Sequence, residues 1–219
     1  MLSALDALAR LQDGNRRFVP EIRTPDSSPS RERRLALATG VLAIQLRTPP
    51  LTAMAAATLQ QLAPDRDVLL GIGISSPVVA GQWHGATYGD RPLAQVREYV
   101  ALLRECLSGE TVSFSGDFYT VKRFRLGLKP TERQPRIVIG ALNTRMLMLA
   151  GEVADGVLLN YLPASHVPWS VEQFRAGTAR RDPALGDPTV YAYVHTGVTD
   201  RDRYAEQARR DLFSYAVVD

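Results

Sequence analysis

Residues 136–162, RIVIGALNTRMLMLAGEVADGVLLNYL, contain two short apolar strands on either side of an amphipathic helix. The first strand ends in the small residues Gly140 and Ala141, and the helix begins just after them. Residues 67–85, DVLLGIGISSPVVAGQWHG, have another strand that is apolar at nearly every position and ends in glycine. Such strands are typical of a parallel sheet covered on both faces. The two stretches predict an α/β fold that binds its ligands at the carboxyl ends of the strands.

Hydrophobic periodicity extends this order over the chain. Parallel strands are predicted at residues 41–45, 67–74, 136–142, 156–162 and 189–198, and helices at 49–62, 92–107, 144–154, 171–180 and 201–215. Residues 111–128 alternate apolar and polar side chains around Gly116 and Asp117. This alternation predicts an antiparallel hairpin inserted between two units of the parallel sheet.

Residues 1–40 differ in composition from the rest of the chain. A helix is predicted from Ser3 to about Gln12, because leucines recur there at helical spacing. Residues 20–30 hold three prolines and three serines, which is typical of a linker. A second short helix is predicted at residues 31–38. We therefore predict a helical N-terminal arm with a Pro/Ser-rich linker at 1–40 and an α/β barrel domain at 41–219.

The five predicted parallel strands are fewer than a closed barrel requires. A (β/α)8 barrel has eight strands in about 250 residues, or about 31 residues per unit. The predicted fold class is therefore α/β, a partial TIM (β/α)8-type barrel with an inserted hairpin, short by about the first two units and the last one. A sheet with two unpaired edges exposes apolar surface, so we expect a homo-oligomer or a marginally folded chain.

Composition argues against several classes of partner and location. The formal net charge is only +3 and no basic run occurs, so no nucleic-acid partner is expected. No run of 18 apolar residues occurs, and Asp6 and Asp13 lie where a signal peptide needs an apolar core, so we expect a cytoplasmic protein that does not enter the membrane. Cys106 is the single cysteine and is predicted to be a small buried side chain on a helix. The three histidines are far apart and no metal-ligand spacing occurs, so no metal is predicted.

The segment Gly140-Ala141-Leu142-Asn143 is the first candidate site. Unpaired backbone N–H groups and partial positive charge coincide at a helix N-terminus, which favours phosphate binding. Small residues at the end of the strand let a ligand approach the backbone closely. We predict that Gly140, Ala141 and Asn143 bind a cofactor phosphate. The alternative is that Gly140 and Ala141 are small only because helix and strand pack tightly there.

The loop after strand 67–74 is the second candidate site. Gly73, Ser75 and Ser76 offer a glycine backbone and two hydroxyls toward a phosphate tail or a ring. The G-x-G here is not a dinucleotide fingerprint, because the third glycine and the acidic residue are missing. His84, beside Trp83 in the long loop that follows, is the candidate catalytic residue at the expected active-site mouth. The alternative is that Trp83 and His84 only anchor the loop.

Two residues near strand 156–162 have different predicted roles. Asp155 precedes this strand, so it is predicted to order the bottom of the barrel rather than to act in catalysis. Tyr161, with Asn160, lies near the carboxyl end of the strand and could face the pocket.

Together with Trp83-His84-Gly85, Ala150-Gly151-Glu152 and Ala154-Asp155-Gly156-Val157, the two strand stretches resemble the luciferase-like flavin and deazaflavin oxidoreductases, a family of (β/α)8 barrels. The resemblance covers about residues 41–219. It implies hydride transfer or monooxygenation of a small organic substrate with coenzyme F420, or alternatively FMN. These cofactors carry the redox chemistry in their own ring, so the protein holds the phosphate, seats the ring and orients the substrate. Deazaflavin-dependent relatives often have a proton-donating carboxylate near the position of Ser76, where this chain has a hydroxyl.

Two other functions are left open by the sequence. The chain could be a non-catalytic, truncated or fused remnant of such a barrel that self-associates. Residues 1–40 also resemble the leading helical segment of β-carbonic anhydrases, through ALDALARLQDGNRRFV and RRLALATG. The Cys-x-Asp-x-Arg and His-x-x-Cys motifs that bind zinc in that family do not follow, so the carbonic anhydrase interpretation lacks its metal ligands.

Overall fold

The structure is a computed structural model that describes residues 36–194 and 200–216. In chain order its elements are β1 (Leu37–Ala38), β2 (Leu42–Ala43), α1 (Pro49–Leu62), β3 (Val68–Gly73), α2 (Pro92–Leu107), β4 (Thr111–Ser115), β5 (Thr120–Arg125), β6 (Arg136–Gly140), α3 (Thr144–Val153), β7 (Gly156–Leu159), α4 (Val167–Thr178), β8 (Thr189–Ala192) and α5 (Arg201–Ala216).

A parallel sheet forms the centre of the described chain. Strands β1 and β2 both pair with the same edge of β3, and the order continues β3-β6-β7-β8. The sheet therefore has five strand positions and curls as a parallel half-barrel, which confirms the predicted fold class. Strands β4 and β5 form a separate antiparallel hairpin, as predicted.

The helices cover one face of the sheet. Ile72 of β3, Ile139 of β6 and Val157 of β7 are fully buried in one core with residues of α1–α4. Side chains alternate across a strand, so their neighbours Gly71, Gly73 and Gly140 face the other side of the sheet, which we call the inner face.

Helix α1 packs through its small side chains. Its buried residues include Thr52, Ala53 and Ala56, and the Thr52 hydroxyl lies 2.6 Å from that of Tyr99 in α2. Burial raises the pKa of Tyr99 to about 12, so the phenol stays protonated as a hydrogen-bonding group. The leucine stripe of this helix faces outward: Leu51 is 49% exposed and Leu62 is 78% exposed.

Helix α2 holds the hairpin in place. The Glu98 carboxylate accepts hydrogen bonds from the backbone N–H groups of Asp117 and Phe118 at 2.8 Å and of Tyr119 at 2.7 Å. The Arg91 guanidinium bonds the Asp117 carboxylate at 3.0 Å and lies 4.8 Å from the centre of the Phe118 ring. One face of α2 thus binds the whole β4–β5 turn.

Several predicted elements have different bounds. Leu37–Ala38 is a strand paired with β3, so the predicted helix 31–38 is wrong at these two residues. The strand predicted at 41–45 is confined to Leu42–Ala43, and a single helical turn, Ile44–Leu46, follows it. Helix α4 begins at Val167 rather than at 171, with proline in its first turn. The predicted helix 3–12, the linker 20–30 and the end of the predicted strand 189–198 lie outside the described residues.

Candidate cofactor site

The predicted glycines of two strands meet on the inner face of the sheet. Gly73 and Gly140 end the neighbouring strands β3 and β6, and a Cβ atom built on Gly73 would lie 3.8 Å from the Gly140 carbonyl oxygen. Val41 covers both glycines: a Cβ atom would lie 2.9 Å from its Cγ2 at Gly73 and 3.1 Å from its Cγ1 at Gly140. The Gly40–Val41 peptide bond, between β1 and β2, is cis. The two glycines therefore form a surface of backbone that the Val41 side chain covers closely.

The N-terminus of α3 opens beside this surface. In the described part of the chain, the backbone N–H groups of Leu142, Asn143, Thr144 and Arg145 have no hydrogen-bond acceptor, which is the ordinary state of a first helical turn. Asn143 to Arg145 are exposed. The helix dipole adds partial positive charge at this end, and the Arg145 side chain adds a full one. The arrangement suits an anion with several acceptor oxygens.

Two of the predicted cofactor ligands have structural duties. The Asn143 side-chain oxygen accepts the Met146 N–H at 3.0 Å and caps α3, while its own backbone N–H is left unpaired. Ala141 is 4% exposed and its N–H donates to the Leu158 carbonyl at 3.3 Å. Asn143 thus has a free backbone N–H that could donate to a ligand. Ala141 contributes only its small size, which agrees with tight packing of helix and strand as well as with a binding role.

The loop after β3 is fastened to the loop after β2. The Ser76 hydroxyl accepts the Val79 N–H at 3.2 Å and caps the helical segment Val78–Trp83. The Ser75 N–H points to the Gln45 side-chain oxygen at 3.5 Å. Both serines are half-buried at the carboxyl end of β3, near Gly73, as the predicted site requires.

His84 lies at the end of the helical segment Val78–Trp83 and is exposed, like Trp83, which is 68% exposed. Its backbone N–H donates to the Gly81 carbonyl, and within the described residues its imidazole has no hydrogen-bond partner. His84 lies in the loop after β3, and within the described residues no hydrogen bond links it to Gly73 or Gly140. Its catalytic role stays a prediction.

A cavity of about 390 Å³ lies beyond the carboxyl ends of β7 and β8. Tyr161 follows β7, Tyr193 follows β8, and Tyr204 of α5 faces both across the cavity. Tyr161 therefore lines a pocket, as predicted, and it has a left-handed φ of 51° that a non-glycine residue rarely adopts. Tyr193 also lies 4.0 Å from a Cβ atom built on Gly40, so this cavity borders the inner face next to Val41.

Asp155 orders the opposite edge of the sheet, as predicted. Its carboxylate accepts the Ile137 N–H at 2.7 Å and forms an ion pair with Arg104 at 2.7 Å. The Arg136 guanidinium donates to the Asp155 carbonyl at 3.1 Å. This network ties the last turn of α2 to the amino ends of β6 and β7, the edge of a barrel whose residues serve stability rather than catalysis.

The sequence alone did not predict a role in the site for Val41 or Gln45. Val41 was included only in a predicted strand, although its side chain covers Gly73 and Gly140. Gln45 was assigned no role, although its side chain reaches the loop after β3. A polar residue directly after an apolar strand, at the edge where ligands bind, was the available signal for Gln45.

The curled parallel sheet, with unpaired backbone N–H groups at its carboxyl edge, defines an α/β half-barrel protein. The family model described as luciferase-like monooxygenase matches residues 30–218. The chain belongs to this family, as the resemblance predicted.

The relatives of the chain include F420-dependent enzymes. It is 33% identical over 178 residues to 5,10-methylenetetrahydromethanopterin reductase of Archaeoglobus fulgidus, covering 81% of this chain and 52% of that protein. It is 28% identical over 195 residues to F420-dependent glucose-6-phosphate dehydrogenase of Nakamurella multipartita, covering 82% and 54%. The solved structure of an F420-dependent secondary alcohol dehydrogenase with an F420–acetone adduct has the same fold, with a TM-score of 0.62, 21% identity, and coverage of 72% and 48%.

The comparisons limit and correct other expectations. The chain spans about half the length of the curated relatives it matches. The resemblance of residues 1–40 to β-carbonic anhydrases is not borne out, and the luciferase-like match already begins at residue 30. The relationship to oxidoreductases does not favour the non-catalytic remnant.

No helix in residues 36–194 or 200–216 is long and apolar enough to cross a membrane. The same residues contain no cluster of three or more His, Cys, Asp or Glu that could hold a metal.

Proposed function

We propose that this chain binds coenzyme F420, with FMN as the alternative, at the carboxyl edge of the half-barrel and acts in hydride transfer to or from a small organic substrate. The observation that carries the proposal is the exposed N-terminus of α3, with its unpaired N–H groups, beside Gly140 and Gly73 and the Val41 side chain that covers them. Names of relatives favour F420. Phosphate and a flat ring are common to both cofactors, so FMN is retained.

The residues present fit such a ligand in two ways. A Cβ atom at either glycine would press against Val41, so glycine at both positions lets the Val41 side chain lie close over the backbone, where it offers an apolar seat for a ring. The N–H groups of Asn143 and Thr144, with the Arg145 charge, would hold the phosphate. When bound, the cofactor ring supplies the hydride chemistry. The chain's own part is to hold the anion, seat the ring on Val41 and limit the access of water.

The tyrosine cavity is the proposed place of the organic substrate. It borders the inner face through Tyr193, near Gly40 and Val41, so a substrate there would lie on the side of the sheet that faces the ring. His84 is the proposed catalytic residue, supported by its place in the loop after β3. Ser75 and Ser76 are proposed to contact the cofactor through the backbone and hydroxyl groups of the same loop.

We propose further that the protein is a cytoplasmic homo-oligomer. Helix α1 has no charged residue and exposes Leu51, Met54 and Leu62. A two-fold interface brings identical patches together, and an uncharged apolar patch can pair with its own copy without repulsion. Light scattering of the purified chain, with Leu62→Glu as the disruptive variant, tests this assignment. A monomer at all concentrations would contradict it.

The test of the proposed function is an equilibrium titration of the full chain with F420 and with FMN, followed by cofactor fluorescence. We expect saturable binding of at least one of them, weakened by inorganic phosphate as a competitor. Gly140→Ala should weaken binding, while Gly127→Ala, at a glycine with open space around it, should not. Absence of binding by both cofactors at millimolar concentration would contradict the proposal.

A further inference from the structure

Gln45 has a buried amide nitrogen that no other described residue satisfies. It lies in the turn Ile44–Leu46, directly after β2. Its side-chain oxygen faces the Ser75 N–H at 3.5 Å, while Nε2 is buried and finds no hydrogen-bond partner in residues 36–194 or 200–216. A backbone N–H can only donate, so this contact fixes the amide with its oxygen toward Ser75 and its NH₂ group away from it.

The position of Gln45 joins it to the candidate site. Ala43 pairs with Gly73, so β2 and β3 end side by side. Ile44 and Ile74, which precede Gln45 and Ser75, both pack with the core under the helices. The contact between Gln45 and Ser75 therefore lies at the carboxyl edge of the strands, next to Gly73.

A buried donor without an acceptor is energetically costly, and such groups in folded proteins call for an explanation. Three other buried polar atoms in the described residues lack a partner, on Gln60, Arg104 and Ser170. Gln60 and Arg104 use their remaining polar atoms in other hydrogen bonds, and Ser170 lies within α4. Gln45 is the member of this set that lies in a turn directly after a strand, at the carboxyl edge of the sheet.

We propose that the Gln45 side-chain amide is a hydrogen-bond donor to the ligand of this edge. Its acceptor is a carbonyl oxygen of the pyrimidinedione ring, a group that flavins and deazaflavins share. This inference rests on the proposed function and adds a side-chain amide donor for the ring to a site otherwise built from the α3 N-terminus, the loop after β3 and Val41. Ser75 orients the amide, so the donor is set before the ligand arrives.

The test compares cofactor affinity with stability in two variants of the full chain. Gln45→Glu keeps the oxygen that accepts the Ser75 N–H but replaces the donor with an acceptor. Gln45→Met removes both polar atoms at similar length. We expect both variants to bind F420, or FMN if that is the cofactor bound by the wild type, about tenfold more weakly or worse. Gln45→Met removes the unsatisfied buried donor together with the long, 3.5 Å acceptor contact to the Ser75 N–H, so its unfolding temperature should stay close to that of the wild type.

Gln60→Met is the matched control. Gln60 is also buried, but its Nε2 donates to the carbonyls of Ala63 at 3.1 Å and Arg66 at 2.9 Å. Its replacement should lower the unfolding temperature and leave cofactor affinity unchanged. Equal affinity in wild type and both Gln45 variants would overturn the inference, and so would a loss of affinity that Gln60→Met reproduces. Absence of cofactor binding by the wild type would remove the proposed function and this inference with it.

Discussion

Replacement of Glu98 with alanine should release the β4–β5 hairpin from helix α2. The Glu98 carboxylate accepts three backbone N–H groups of the turn, at 2.7 to 2.8 Å. A hydrogen bond to a charged group contributes about 1.5 kcal/mol or more to stability. At that lower figure, three such bonds would contribute about 4.5 kcal/mol. The turn is only partly buried, and water can replace the bond to the exposed Asp117, so the net loss is smaller. We therefore expect a loss of about 2–3 kcal/mol in the free energy of unfolding.

The measurement is urea denaturation followed by circular dichroism, with Glu105→Ala as the control. Glu105 is exposed on the same helix, and in the described residues its carboxylate forms no hydrogen bond, so its replacement should change stability by less than about 0.5 kcal/mol. A double-mutant cycle sharpens the test. A Cβ atom at Gly116 would clash with the Glu98 carboxylate, so Gly116→Ala should destabilise the wild type but be nearly neutral beside Glu98→Ala.

Two results would refute this reasoning. A loss below about 0.5 kcal/mol for Glu98→Ala would mean that water replaces the carboxylate at every N–H of the turn. Strict additivity of the Glu98 and Gly116 substitutions would mean that the two groups do not share a site.

Other expectations concern an ion pair, a buried cysteine and the loop after β3. The hydrogen bond from Arg97 lowers the pKa of Glu152. The pair therefore stabilises the fold at pH values above the pKa of the unfolded chain, and this stabilisation is lost as the pH falls through the lower pKa of the folded chain. Glu152→Gln should therefore reduce the drop in unfolding temperature between about pH 6 and pH 3. An equally steep drop in that variant would exclude this contribution. Burial raises the pKa of Cys106 to about 11, so its thiol should resist a thiol reagent at pH 8 until the chain is denatured. Fast labelling of the native chain would show an opening of α2. His84→Ala should lower turnover at least tenfold with cofactor affinity unchanged, and full activity in this variant would leave His84 with only a loop-anchoring role.

Local signals predicted some elements to the residue. Helices α1 and α2 each begin with proline in the first turn and keep a helical apolar spacing to the end, so their bounds, Pro49–Leu62 and Pro92–Leu107, agree with the prediction. Asp155 was correctly assigned to the amino edge, because its place directly before β7 decides at which end of the strand it lies. Its ion partner Arg104, 51 residues away in sequence, was not predicted.

Other features depend on contacts that no local pattern contains. The leucines of α1 are exposed because the helix packs close to its neighbours through its alanines. The face that is buried is therefore set by the distance between the elements and not by which side chains are the most hydrophobic. Val41 covers Gly73 and Gly140 because residues 39–41 cross the inner face of the sheet between β1 and β2. The contact that orients the Gln45 amide joins it to Ser75, which is 30 residues away in sequence and adjacent in space.

The central claim is that the N-terminus of α3 and the glycines beside it hold the anionic redox cofactor. The most direct measurement is an amide ¹H–¹⁵N NMR titration of the labelled chain with F420 and with FMN. The account predicts saturable shifts of the Asn143, Thr144 and Arg145 amides together with those of Gly73 and Gly140. Saturable binding that leaves these five amides unmoved, or no binding by either cofactor, would contradict it.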